Sequence, residues 1–122
     1  MTRHKVILAF GSNTADRRMK VSQALQFCSC HIDIEKTSPA VETEPVGLES
    51  PMFVNQMARG ATTLSLDELT AFTKYVEESL GRKRPTLSNE IHIDIDIMLY
   101  DGKKLHETDW QKNYITTLIK HL

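Results

Sequence analysis

Two aspartates, Asp94 and Asp96, stand one residue apart inside the run Ile91-His92-Ile93-Asp94-Ile95-Asp96-Ile97-Met98-Leu99-Tyr100. The run alternates with period two, which predicts a β-strand with unlike faces. Ile91, Ile93, Ile95, Ile97 and Leu99 share one face; His92, Asp94, Asp96 and Met98 share the other. Aspartate is depleted in strands, so a pair on one face calls for a reason. At this spacing the carboxylates stand roughly 7 Å apart. Two carboxylates so placed suit shared hard cations such as Mg²⁺, which prefer oxygen ligands and keep waters. The plainer alternative is a solvated strand face.

A second group of polar residues lies upstream. Phe53, Asn55 and Met57 alternate onto one face of a predicted strand. An asparagine between two large apolar residues is either a core polar group that needs partners or a group that orients a ligand. The stretch Val41 to Pro51 carries two prolines and one glycine and reads as a loop feeding that face, a natural pocket rim. Glu77 sits beside the apolar stripe of a predicted helix, where a surface acid is the ordinary reading. Arg82-Lys83-Arg84 follows that helix. Cations there complement the helix dipole, and a basic loop near paired acids also suits a phosphate ester with bound Mg²⁺. Arg17, Arg18 and Lys20 near the start of an earlier helix read as exposed basic residues or a phosphate-facing patch.

The elements that must position these groups follow in order. Lys5 to Phe10 is a short apolar run closed by Gly11-Ser12-Asn13, as in a central strand. No Gly-Lys-Ser/Thr follows, so this is not a P-loop. Asp16 to Cys28 predicts a helix with Val21, Ala24 or Leu25, and Cys28 inward, capped by Asn13 or Asp16. Ile32 to Thr37 and Phe53 to Thr62 predict two strands. Ser65 and Glu68 have capping-box spacing; Leu66, Leu69, Phe72, Val76 and Leu80 form a buried stripe, and Gly81 ends the helix. Asp101-Gly102 is a turn leading to a short edge hairpin at Lys103-Lys104-Leu105. A third helix, capped by Thr108 or Asp109, carries Tyr114, Ile115, Leu118, Ile119 and Leu122 inward and covers the sheet. The order β-α-β-β-α-β plus a C-terminal helix predicts an α+β, ferredoxin-like sandwich: one antiparallel sheet with two helices on one face.

Composition bounds the function classes. The chain has 122 residues, read as one domain over 1–122. A formal net charge of −1 gives no basic field for nucleic acid or anionic membrane. No stretch reaches the apolar length of a membrane span, and no signal-peptide region precedes the first strand, so a cytoplasmic protein is expected. Cys28 and Cys30 are spaced Cys-x-Cys with no second pair, which argues for reduced thiols over structural zinc.

Several motifs, in order over roughly residues 5 to 105, resemble the hydroxymethyldihydropterin pyrophosphokinases of folate biosynthesis. They are Gly11-Ser12-Asn13, Thr43-Glu44-Pro45-Val46-Gly47, Phe53-Val54-Asn55, Glu77 with Gly81-Arg82-Lys83-Arg84, and Asp94-Ile95-Asp96-Ile97-Met98-Leu99. The resemblance implies transfer of a pyrophosphoryl group from ATP to the hydroxymethyl of a dihydropterin, releasing AMP. It implies that Asp94 and Asp96 hold two Mg²⁺ on the triphosphate. Thr43, Val46, Phe53 and Asn55 match the pterin pocket; Lys74, Glu77, Arg82, Arg84 and Ile97 match positions near the nucleotide, with Arg84 catalytic beside the two aspartates. The implied partners are ATP and the pterin, with neither nucleic acid nor membrane, and the chain acts as a monomer or weak dimer. The family carries an arginine three residues before the first metal aspartate, where this chain has Ile91. It also continues after the strand with a Pro-His element and a basic segment that contact the phosphates, for which Lys103, Lys104 or His106 are the candidate substitutes here. The alternative implied by these departures is a catalytically degenerate ligand-binding or interaction domain on the same fold.

Overall fold

The structure is a computed structural model that describes residues 2–44, 52–82 and 90–122. β1 (His4–Ser12) is central. Helix α1 (Arg17–Cys28) follows, then β2 (Asp33–Thr37), β3 (Val41–Thr43), β4 (Phe53–Thr62), α2 (Leu66–Ser79), β5 (Asp94–Tyr100), β6 (Lys103–Lys104) and α3 (Asn113–Leu118). The sheet runs β2-β4-β1-β5-β6, with β3 on β4, and all described pairings are antiparallel. β1 therefore sits between the strand that carries Asn55 and the strand that carries the two aspartates. This is the α+β, ferredoxin-like arrangement expected from the sequence.

Alternation along β1 divides the molecule. Val6, Leu8 and Phe10 meet Val21, Ala24 and Cys28 of α1 and Leu69 and Val76 of α2 in the main core, all nearly solvent-free. Ile7 and Ala9 point to the opposite face, where Met57, Met98, Ile115 and Leu118 form a smaller core under α3. Burial of such side chains contributes about 1.5–3 kcal/mol each, so both faces are firmly held. α2 begins with the expected capping box: Glu68 N donates to Ser65 Oγ and Ser65 N donates to Glu68 Oε1. Gly81 ends that helix at φ +104, a conformation L side chains rarely adopt.

Several expectations are corrected. The fifth strand begins at Asp94, not Ile91, because its pairing with β1 runs only as far as Gly11. Ile91 is held instead by Asn13, whose backbone N–H donates to the Ile91 carbonyl while its side-chain oxygen accepts from the Ile91 N–H. That is the work of Asn13 rather than helix capping. Asp16 makes no side-chain cap bond to α1 either; it accepts the Thr14 hydroxyl at 2.7 Å. The alternation of β5 also breaks. Ile97 faces Leu8 and Leu99 faces Ile7, so Met98 is an extra residue in the ladder. Beyond this bulge Leu99 leaves the isoleucine face and Tyr100 joins the main core. Val41–Thr43, expected as loop, pairs with Phe53–Asn55 as β3. The C-terminal helix is interrupted: a 3₁₀ turn over Glu107–Gln111 gives way at extended Lys112 to α3, followed by a second 3₁₀ turn. Cys28 is buried and Cys30 exposed, both free thiols.

Candidate functional site: a paired-acid wall between two clefts

The site is built on cross-strand rows. Gly11 of β1 lies opposite Asn55 of β4 on one side and opposite Asp94 of β5 on the other. Two residues back, Ala9 lies opposite Met57 and Asp96. Two small residues in the central strand leave a hollow between the asparagine and the acids. A Cβ on Gly11 would stand 2.9 Å from Asn55 Oδ1, so the space is matched to the absence of a side chain there.

That hollow is a cleft of about 200 Å³ lined by Ala9, Gly11, Thr43, Phe53, Asn55, Asp94, Asp96 and Ile91. Its size suits one small fused-ring heterocycle better than a drug-sized ligand. Asn55 is buried and its amide Nδ2 donates to Thr43 Oγ1, which fixes the amide plane. Asn55 is thus a core polar group with a partner that also lines the cleft. Half-buried Phe53 offers a flat apolar wall.

A second cleft of about 380 Å³ lies against α2. Lys74, Glu77 and Ile97 line it together with Asp94, Asp96, Thr70 and His106. Asp94 and Asp96 therefore form a wall common to both clefts. The reason this side of β5 is open is topological. β6 pairs only with Leu99 and Tyr100, so among the described residues the outer edge of β5 beside the aspartates has no strand partner. Side chains complete it. Buried Glu77 accepts the Ile95 N–H at 2.8 Å, and Arg82 Nη1 donates to the Ile93 carbonyl at 3.0 Å and to Asp94 Oδ1 at 3.2 Å. Glu77 is no surface acid.

The electrostatics of the wall favour a cation. Burial first, then the neighbouring Asp94 charge, pushes the Asp96 carboxyl up to about 7. One third of the side chain still reaches solvent, so a ligand has access. Two crowded acids, with Asp94 accepting Arg82 and Asp96 lying 3.9 Å from His106 Nε2, have the oxygen chemistry that suits hard divalent ions. Among the described residues no cluster of three or more His, Cys, Asp or Glu could hold a metal alone. Two carboxylates, completed by substrate oxygens and water, match how Mg²⁺ is usually bound.

Of the site residues expected from the sequence, the structure brings Thr43, Phe53 and Asn55 to the first cleft, and Lys74, Glu77 and Ile97 to the second. Arg82 touches the wall between them. Val46 and Arg84 lie outside the described residues. The basic helix start is otherwise engaged: Arg17 pairs with Glu42 at 3.0 Å and Lys20 donates to the Leu80 carbonyl at 2.8 Å. Lys103 and Lys104 are exposed on β6, with Lys104 4.7 Å from the Trp110 ring centre. Sequence reasoning missed Lys112 and Tyr114, which line the first cleft. Tyr114 packs against the smaller core, as the apolar stripe predicts, and borders the cleft as well. The only signal was the pair itself, a cation two residues before an aromatic at a helix start.

Fold and site define a ferredoxin-like α+β domain with paired acids at the junction of two clefts. A family model described as 7,8-dihydro-6-hydroxymethylpterin-pyrophosphokinase matches residues 7–121. The chain is 35% identical over 96 residues to the 2-amino-4-hydroxy-6-hydroxymethyldihydropteridine pyrophosphokinase of Aquifex aeolicus, covering 78% of this chain and 60% of that protein. It is 30% identical over 124 residues to the mitochondrial folate synthesis bifunctional protein of Arabidopsis thaliana, covering 93% of this chain and 22% of that one. It is 32% identical over 104 residues to the folic acid synthesis protein fol1 of Schizosaccharomyces pombe, covering 82% and 14%. The chain belongs to the hydroxymethyldihydropterin pyrophosphokinase family. It spans less than two thirds of the length of these relatives. No described helix is long and apolar enough to cross a membrane.

Proposed function

We propose that the protein transfers the β,γ-pyrophosphoryl group of ATP to the hydroxymethyl of 6-hydroxymethyl-7,8-dihydropterin, in a Mg²⁺-dependent step of folate synthesis. The observation that carries this reading is the shared wall: Asp94 and Asp96 border both clefts, so ligands in the two would meet at the acids. The pterin ring is assigned to the first cleft, against Phe53, with Thr43, Val46 and Asn55 around it. Asn55 offers one donor and one acceptor set to the amide edge of the ring. The nucleotide is assigned to the second, beside Lys74, Glu77, Arg82, Arg84 and Ile97.

The substrate hydroxyl attacks the β-phosphorus in line. A new O–P bond forms, the bond from the β-phosphorus to the bridging oxygen breaks, AMP leaves, and the hydroxyl proton passes to solvent. Such transfer asks mainly for positioning and charge neutralisation. Asn55 and Phe53 fix the pterin, and Arg82 and Arg84 supply positive charge at the triphosphate. Asp94 and Asp96 would hold two Mg²⁺, which when bound neutralise phosphate charge and polarise the P–O bonds.

Purified protein with Mg²⁺, ATP and the dihydropterin should release AMP, and Asp96→Ala should abolish it. No AMP above background would overturn the transferase reading. The second reading, ligand binding without turnover, is favoured by Ile91, which lines the first cleft where the family has an arginine. It expects a raised melting temperature with pterin and a non-hydrolysable ATP, by linkage, but no AMP.

A further inference from the structure

The segment after β6 is a series of short helical turns, and it brings Lys112 and Tyr114 to the first cleft. α3 spans only six residues, too short to be stable alone. Something must set its position. Its apolar residues Ile115 and Leu118 give attraction to the sheet but little directionality, since apolar contact is not directional. Two side-chain hydrogen bonds give direction: Arg59 of β4 donates to the Leu122 carbonyl at the far end of the segment, and Trp110 donates just before Lys112. The Trp110 indole N–H is shared between two carbonyls, Leu105 at 2.9 Å and Met98 at 3.2 Å. The Met98 carbonyl also accepts the Leu105 N–H at 2.9 Å. Met98 is the bulged residue of β5, two positions after Asp96. The bulge therefore presents one carbonyl to both the backbone and the tryptophan of the C-terminal segment. Lys104 lies over the outer side of the ring, 4.7 Å from its centre. Lys112 follows Trp110 by two residues and Tyr114 by four.

We infer that Trp110 is a positioning residue for the first cleft: through the Met98 bulge its indole N–H fixes the C-terminal segment so that Lys112 and Tyr114 face the acid wall. It touches no ligand itself. The assignment rests on the proposed pterin occupancy of that cleft only for its binding readout. The structural part stands on the free protein.

The test compares Trp110→Phe, which keeps an aromatic ring and removes the donor, with Ile115→Val, which trims the packing of α3 and leaves the donor intact. Amide spectra of the free proteins report the backbone of Lys112 to Ile115. Calorimetry reports the affinity for 6-hydroxymethylpterin and, separately, for a non-hydrolysable ATP. Trp110→Phe should shift the Lys112–Ile115 resonances and weaken pterin binding roughly tenfold, the scale of one misplaced stacking contact. Nucleotide affinity should fall less than pterin affinity, since of the second cleft's lining Trp110 bonds only Leu105. Ile115→Val should lower the melting temperature with pterin affinity unchanged. If the resonances of Trp110→Phe do not move, or both variants lose pterin affinity in proportion to their loss of stability, the positioning role is wrong. Moved resonances together with a wild-type protein that binds no pterin would reject the proposed ligand while keeping the latch.

Discussion

The Glu77 carboxylate, buried in the last turn of α2, accepts the backbone N–H of Ile95, the residue between the two aspartates. A helix side chain thereby does the work of a missing strand. β6 is two residues long, so β5 would otherwise present an unpaired N–H beside the site. A longer β6 would satisfy the backbone equally well, but it would close the second cleft. Replacing a strand by one carboxylate keeps the edge both satisfied and open.

This makes Glu77 a stability residue as well as a wall of the cleft. Glu77→Ala should destabilise the fold by about 1–3 kcal/mol, the cost of a buried donor left unmade. Glu77→Gln keeps an acceptor oxygen and should cost less than half of that. Urea unfolding of the two variants checks the order. Equal losses would mean that the hydrogen bond is not what Glu77 contributes.

The raised Asp96 carboxyl gives a pH dependence with a definite sign. In the unfolded chain this group titrates near 3.8 and in the fold at about 7. Between those values the native state holds the extra proton, so stability falls as pH rises from 4 to 7 and is level above. Asp96→Asn removes that slope. After discounting for the exposed third of the side chain, the variant should gain about 1–2 kcal/mol at pH 8 relative to its difference from wild type at pH 4. Paired melting curves without divalent metal at the two pH values decide it. A difference that does not change with pH would show that Asp96 is ionised throughout.

Asn13 ties the segment before β5 to the end of β1 through both its backbone and its side chain. Asn13→Asp retains the acceptor oxygen for the Ile91 N–H, and Asn13→Ala does not. Asn13→Ala should lower stability by about 1–3 kcal/mol and Asn13→Asp by less. Hydrogen exchange at Ile91 measures the local effect, with faster exchange expected only in the alanine variant.

What could be read from the sequence follows its periodicities. The isoleucine alternation gave the face of Asp94 and Asp96, the capping box gave the start of α2, and the β-α-β-β-α-β order gave the sheet. What could not be read was mostly one-residue or non-local. The Met98 bulge has no signature in Ile97-Met98-Leu99, yet it reverses the faces of everything after it. The burial of Glu77 depends on how short β6 is, a tertiary fact that helix periodicity does not contain. Tyr114 looked apolar because its neighbours Ile115 and Leu118 are core residues. Its place beside the cleft goes with the break at extended Lys112, which the stripe does not contain. Gly11 closes the first apolar run in the sequence, but its place in the row Asn55–Gly11–Asp94 depends on pairings that only the fold supplies.

That row supports the sharpest mutational test. Gly11 has ordinary strand pairing with both neighbours, so alanine is tolerated by the backbone. The added methyl would stand 2.9 Å from Asn55 Oδ1, closer than real Cβ contacts allow, and the asparagine amide must turn or move. Its bond to Thr43 is then strained or lost. Gly11→Ala should therefore reduce pterin affinity by roughly ten- to a hundredfold, the range for one methyl misplaced in a fitted pocket. Stability should change by less than about 1 kcal/mol, because a strand alanine offsets part of the clash through lower unfolded-state entropy. Nucleotide affinity should be unaffected, since neither Gly11 nor Asn55 lines the second cleft. Calorimetric titration with each ligand separates the two, and an equal loss for both would mean that Gly11 shapes the sheet as a whole and not the first cleft.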